Sequence, residues 1–268
     1  QEIQNDVRLS CQVKIKEDIE IEIPEDIFNI KKFKAKVKNI EAMTYDIKEI
    51  TFELIEPKEI TFKAGQYVQL ASPKYGKIKQ TVSRAYSISS CPDDKGIIQL
   101  IIRKVPDGIC STWVHDHLKV GDEVNFTGPF GDFVIQDTQA DMLFVAGGSG
   151  KAPIKSMLKY LEKRNNDRRM GYFFGARLKK ELYLTDHFMK LEKQLKDFKY
   201  YPILSQPTKA CEWEGRCGYV MTFFDEFIKE PDNTEAYLCG SPGMIAAVTK
   251  DLKKRGIPED KIYYDSFA

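Results

Sequence analysis

The hydrophobic pattern of this 268-residue chain changes period near residue 140, and that change restricts the fold more than any other feature. Ahead of it, apolar and polar residues alternate over 34–40, 47–55, 67–72, 85–90, 97–105 and 123–127. A period of two puts the apolar residues on one face of a strand. Pro57, Ala64-Gly65, Pro92-Asp93-Asp94, Pro106-Asp107-Gly108 and Val120-Gly121-Asp122 supply turns between these segments. Evenly spaced short strands predict an antiparallel β-barrel or sandwich, with one short helix over 111–118. Beyond residue 140, compact apolar strands at 142–146, 171–175, 200–204, 236–239 and 262–265 alternate with amphipathic stretches. The stretches at 153–163, 181–195, 219–228 and 244–255 read as helices. That rhythm predicts a parallel sheet covered on both faces. The expected organisation is a segment 1–29, a β-barrel domain 30–138 and an α/β parallel-sheet domain 139–268.

Charge narrows the function. Lys plus Arg number 41 and Asp plus Glu 40, a net charge of +1 with the signs mixed. A nucleic-acid partner would need a basic stripe and is not expected. The six cysteines (Cys11, Cys91, Cys110, Cys211, Cys217, Cys239) include no C-x-x-C pair, which fits reduced thiols in a cytoplasm. His115 and His117 stand two apart in the short helix and point to different sides, so no metal site is expected from them. No apolar run is long enough to span a membrane. The chain opens on Gln1, and an upstream anchor stays open.

Two motifs fall at the carboxyl ends of parallel strands, where ligands bind in open α/β sheets. Gly147-Gly148-Ser149-Gly150-Lys151-Ala152-Pro153 follows the first such strand. Glycines let backbone approach a phosphate, and the helix start presents free N–H groups. The same turn can also be purely architectural. Cys239-Gly240-Ser241-Pro242 follows the fourth strand and puts a thiol at the crevice, although a lone cysteine is often just a small hydrophobe. In the barrel half, Arg84 and Tyr86 share a strand face, where an Arg fork can hold phosphate and a ring can lie on a planar ligand. Gly108-Ile109-Cys110-Ser111-Thr112 opens the short helix and offers further N–H groups.

Taken in order, Arg84-x-Tyr86-Ser87, Gly108-x-x-Ser111, Gly147-Gly148-x-Gly150-x-Ala152-Pro153 and Cys239-Gly240 resemble the ferredoxin–NADP reductase superfamily. Phe62-x-Ala64-Gly65-Gln66-Tyr67 and Gly128-Pro129-Phe130-Gly131 add to the likeness, which covers about residues 30–268. Arg8-Leu9-Ser10-Cys11-Gln12-Val13 looks like the end of a plant-type [2Fe–2S] ferredoxin, in which Cys11 would be the fourth cluster ligand. The other three ligands need a spacing that this sequence lacks, so the ferredoxin domain is read as cut away. As in several oxygenase reductases, a ferredoxin ahead of the flavin domain is the order in the F subunits of sodium-translocating NADH:quinone reductases. Phe174-Gly175-Ala176-Arg177 and Asp265-Ser266-Phe267 are also closest to that branch. Two departures stand out: 72–83 is shorter than that branch's usual insertion, and Lys151 takes a position more often apolar.

The resemblance implies FAD on the barrel and NADH on the α/β domain. Arg84 would hold the FAD diphosphate, Tyr86 the ring face and Ser87 the region near N5, with Tyr67, Ala85, Ile101 and Arg103 around them. Gly108, Cys110, Ser111 and Thr112 would take the diphosphate at the helix start. Gly147, Gly148, Gly150, Ala152, Pro153, Arg177, Gly240 and Pro242 would hold NADH, with Lys151 adding a diphosphate contact. Ser87, Cys239 and Phe267 are the expected catalytic set, Cys239 beside the nicotinamide and Phe267 stacked on the flavin until nicotinamide displaces it. Ser205-Gln206-Pro207 offers no Arg for a 2′-phosphate, which favours NADH over NADPH, although Arg177 and Lys209 are available cations. The expected function is hydride transfer from NADH to FAD, then single electrons to an iron–sulfur acceptor, beside the membrane subunits of a quinone reductase. Such a fragment would be cytoplasmic, with the full-length protein anchored at the cytoplasmic face of the inner membrane. The alternatives are the reductase of a soluble oxygenase and a non-catalytic nucleotide sensor.

Overall fold

A computed structural model describes residues 14, 16–21 and 28–267. Cys11 and most of the segment 1–29 lie outside the described residues. The first lobe is a curled antiparallel sheet of β1 (Lys31–Ala42), β2 (Ile47–Glu56), β3 (Tyr67–Ser72), β4 (Val82–Ser87), β5 (Ile97–Arg103) and β6 (Glu123–Phe130). The strand order is β4-β3-β6-β1-β2-β5, and the two edges meet where Ile88 bridges Leu100. In β1, Phe33, Ala35 and Val37 point inward while the intervening lysines face water, the period-two pattern made physical. The short helix α1 (Ile109–Asp116) plugs one end with Trp113 and Val114.

The second lobe is a parallel sheet of order β10-β9-β8-β7-β11-β12. Its strands are β7 (Asp141–Gly147), β8 (Met170–Ala176), β9 (Phe198–Leu204), β10 (Arg216–Cys217), β11 (Thr234–Gly240) and β12 (Ile262–Ser266). Helices α2 (Lys151–Lys163) and α3 (Thr185–Leu191) cover one face, and α4 (Pro242–Lys254) covers the other. Every residue of β11 is buried, as expected of a central strand packed on both sides.

Three elements differ from the sequence reading in ways that have a physical cause. The helix expected over 181–195 is only α3, because Leu184 takes a left-handed φ of 54° and breaks the run. The stretch 219–228 is a 3₁₀ helix over Val220–Glu226. Its Val, Thr and Phe residues favour an α-helix weakly, and Val220, Phe224 and Phe227 instead pack into the lower core. The strand expected over 85–90 is β4, three residues earlier.

Helix α2 joins the lobes. Lys155 pairs with Glu49 of β2, both nearly fully buried. Glu49 also accepts from Ser89 Oγ at 3.1 Å, and Ser156 Oγ donates to the Ser90 carbonyl at 2.6 Å. At the far end of the helix, Lys163 and Arg164 reach Asp94 and Asp93 at 2.8 and 3.0 Å. These outer pairs are exposed and contribute little, whereas a buried charge stripped of its partner is costly. Gly65 completes the seam. A Cβ there would fall 1.9 Å from the Phe133 carbonyl oxygen and 2.5 Å from Met157.

The seam can be tested through its charges. Glu49→Gln should lower unfolding free energy by about 3 kcal/mol in urea titrations, and adding Lys155→Met should recover most of it. His187, in α3, has a buried Nε2 with no hydrogen-bond partner among the described residues. Burial, reinforced by Lys155 and Lys159, lowers its pKa from 6.5 to about 4. Unfolded chains take up this proton below 6.5 while the folded protein refuses it until about 4. Stability therefore falls as pH drops through that window, and urea midpoints of His187→Gln should fall less steeply than those of the parent.

Candidate functional site

The two lobes enclose a cleft of about 1260 Å³ at the carboxyl ends of the parallel strands. The barrel wall presents Arg84, Ala85, Tyr86 and Ser87 from β4, with Tyr67 paired across from Ser87 on β3. Ile101 and Arg103 come from β5, and Gly108, Cys110 and Ser111 from the start of α1. The opposite wall presents Gly147, Gly148, Arg177, Gly240 and Phe267. Fifteen positions that the sequence singled out thus share one space.

Six do not line it. Thr112 is turned into α1, where its N–H bonds the Gly108 carbonyl. Ala152 and Pro153 are buried along α2. Gly150 serves packing, because a Cβ there would meet the Cys239 carbonyl oxygen at 2.2 Å. Pro242 borders a separate shallow groove with Tyr264. The Cys239 thiol is sealed in the core beneath α2, since successive residues of β11 face opposite sides and Gly240 takes the cleft side. Burial pushes that thiol well above its ordinary pKa, helped by the nearby Asp265 carboxylate. Lys151 is likewise fully buried, with Nζ donating to the Tyr183 carbonyl at 2.6 Å, away from the cleft.

The walls suit anionic, planar ligands. Helix α1 has no side-chain cap, so its first amides are free to meet phosphate, and the turn Gly147–Gly148–Ser149 brings backbone to the cleft ahead of α2. Helix α4 differs, because Ser241 accepts from the Met244 amide and closes that end. A Cβ on Gly147 or Gly240 would come within 3.0 or 2.7 Å of Met244, so backbone itself forms this wall. Arg84 is exposed and, among the described residues, donates to the Ser83 carbonyl at 2.8 Å. Tyr86 lies against Cys110, and its phenol is pushed up by burial and by that thiol.

Among the cleft residues that the sequence reasoning left out of the site, two stand out. Ser87 Oγ donates to Asp265 Oδ2 at 3.1 Å, and burial raises the Asp265 pKa against the lowering effect of that bond. The sequence placed Asp265 in the ending Asp265-Ser266-Phe267 without a role, and its partner Ser87 stands 178 residues away. Tyr219 is 70% exposed in the cleft beside Gly218 at φ 137°. An exposed aromatic after a glycine was a legible signal there.

Residues 34–135 match the oxidoreductase FAD-binding domain family, and residues 144–250 match the oxidoreductase NAD-binding domain family. The F subunit of the Na(+)-translocating NADH-quinone reductase from Marinomonas sp. (strain MWYL1) is 33% identical over 97% of this chain and 74% of its own length. The equivalent subunit from Psychrobacter cryohalolentis is 34% identical over 100% of this chain and 75% of its own. The chain belongs to this F-subunit family. It is an oxidoreductase with an FAD-binding and an NAD-binding domain. The Marinomonas alignment spans 301 positions, more than the chain's 268 residues, so that relative carries extra positions within the aligned span. Among solved structures, Amycolatopsis cytochrome P450 reductase GcoB superposes with a TM-score of 0.80, at 28% identity over 89% of this chain and 70% of its own. The FAD/NAD-binding domain of Vibrio cholerae nitric oxide dioxygenase shares the fold, with a TM-score of 0.79, at 20% identity over 88% of this chain and 98% of its own.

Burial of the thiols around the cleft sets their order of labelling. Cys217 is exposed and Cys211 half-buried, while Cys91, Cys110 and Cys239 are buried, all as free thiols. In native protein, peptide mapping after brief alkylation should find Cys217 modified first and Cys239 modified only after global unfolding. Labelling of Cys239 as fast as Cys217 contradicts the buried placement.

Proposed function

We propose that the chain oxidises NADH on the α/β wall of the cleft and delivers the electrons singly to an iron–sulfur acceptor through FAD held on the barrel wall. The carrying observation is the facing of Arg84, Tyr86 and Ser87 against Gly147, Gly148 and Phe267 across one cleft. FAD, when bound, supplies the conversion of a two-electron donor into one-electron transfers. The chain's own work is binding and alignment. Arg84 and the free amides at the start of α1 hold one diphosphate. The Gly147–Gly148–Ser149 turn ahead of α2 holds the other. Tyr86 offers its ring to the flavin, and Phe267 covers the opposite face until nicotinamide takes its place. The Phe267 N–H bonds the Gly240 carbonyl at 3.0 Å, which anchors the backbone, while the ring rests against the core of the parallel sheet and must leave it to admit nicotinamide.

Ser87 and Asp265 tie the barrel to the last strand beside that ring, and Asp265 keeps a proton more readily than an ordinary carboxyl. Cys239 sits one layer below the cleft floor and supports Gly240; a direct catalytic part would require it to turn outward. Tyr219 is placed for the adenine end of NADH. The likeness to the F-subunit relatives over nearly the whole chain supports a quinone-reductase setting, with membrane subunits as partners and the residues before 30 as a ferredoxin remnant. Residues 30–138 and 139–268 then form the two functional units. No helix among the described residues is long and apolar enough to cross a membrane.

Loaded with FAD, the protein should show flavin absorbance that anaerobic NADH bleaches, and it should reduce ferricyanide. A colourless protein that takes up no FAD refutes the reading. Arg84→Ala should weaken FAD binding roughly 10- to 100-fold in fluorescence titrations, the loss of charge-assisted bonds to phosphate.

A further inference from the structure

Lys151 opens α2 immediately after the glycine turn, and its side chain is 0% exposed. No carboxylate pairs with it among the described residues. Its ammonium lies 3.6 Å from the centroid of Phe174, 4.5 Å from Tyr183 and 5.0 Å from Phe188. Nζ donates to the Tyr183 carbonyl at 2.6 Å and to the Tyr200 hydroxyl at 3.3 Å. Burial lowers its pKa well below the ordinary lysine range. A lysine in such a site is expensive to keep, and ring faces and oxygens offset only part of that.

What this lysine grips explains its presence. Tyr183 donates its hydroxyl to the Gly148 carbonyl at 2.8 Å. Gly148 lies on the cleft wall at φ 56°, in the centre of the turn. Lys151 therefore holds the backbone of Tyr183, and the Tyr183 side chain holds the turn from which Lys151 emerges. The loop closes on itself. The peptide joining Gly148 to Ser149 is planar and trans, so fixing its oxygen also fixes the Ser149 N–H, turned away from Tyr183. Arg103 borders the same glycine, its guanidinium 3.3 Å from where a Cβ would stand.

We infer that Lys151 and Tyr183 are positioning residues for the dinucleotide diphosphate: together they lock the Gly148–Ser149 peptide so that the turn meets NADH already oriented. The inference rests on the dinucleotide reading of the cleft. Prior orientation strengthens binding without new contacts, because the turn loses less freedom when the ligand arrives. The lock acts on NADH binding and leaves the flavin wall alone.

The test is steady-state NADH oxidation with ferricyanide by the FAD-loaded chain. Tyr183→Phe keeps the ring and removes only the hydroxyl, so it should raise KM for NADH roughly three- to tenfold, the loss of one ordinary hydrogen bond. Its kcat and flavin spectrum should stay within about twofold of the parent, the pattern of lost uniform binding. Lys151→Met should shift KM the same way, and the double variant should be no worse than the poorer single one, since both act on one lock. Unchanged KM in Tyr183→Phe overturns the proposal, whether or not Lys151→Met folds. A joint fall in kcat, FAD affinity and melting temperature also overturns it, because that marks general damage. If the parent protein shows no NADH turnover, the dinucleotide reading falls and this inference with it. Normal turnover with unmoved variants sinks this inference alone.

Discussion

Helix α2 belongs to both lobes, and the geometry of the cleft depends on that double membership. The turn that leads into it, Gly147–Gly148–Ser149, lines the cleft. Its middle carries Lys155 into a buried pair with Glu49 of the barrel. Its inner side packs Ile154, Met157 and Leu158 onto the parallel sheet. The barrel cannot tilt against the sheet without exposing Met157 to empty space or stripping Glu49 of its partner, and both are costly in a closely packed interior. A rigid seam of this kind fixes the gap between the walls. Motion at the site is thereby left to side chains such as Phe267 and to the cleft rim.

That rigidity matters because the chemistry asks little of the protein beyond alignment. Hydride transfer between two stacked rings needs a defined separation, a dry gap and no competing nucleophile. The cleft provides glycine backbone at Gly147 and Gly240, the uncapped start of α1 and an aromatic near the chain's end, with the nearby thiol of Cys239 withdrawn beneath the floor. The Ser87–Asp265 bond adds a polar bridge between lobes at the point where the rings would meet.

Much of this was legible in the sequence, for identifiable reasons. Period-two alternation in Phe33-Lys34-Ala35-Lys36-Val37 and the unbroken apolar run Met142–Ala146 each carry a geometric consequence that holds in isolation. Glycine clusters at strand ends announced the cleft for the same reason. The misreadings have a common source. Cys239, Gly150 and Lys151 stand within or beside the right motifs, but a motif says where a residue sits along the chain and not which way its side chain turns. Alternation along β11 turned Cys239 inward, the carbonyl of Cys239 made Gly150 a packing residue, and five surrounding rings drew Lys151 into the core.

The two-lobe architecture, the succession of strands along the chain and the segments that converge on a ligand were already written in the order of residues. Those properties follow from local periodicity and backbone freedom, which act over a few residues. The pairing of Glu49 with Lys155, the meeting of Ser87 with Asp265 and the grip of Lys151 on Tyr183 came into being only with the closed fold. Each joins residues far apart in the chain, and each depends on burial, which no residue possesses until the whole fold has closed around it.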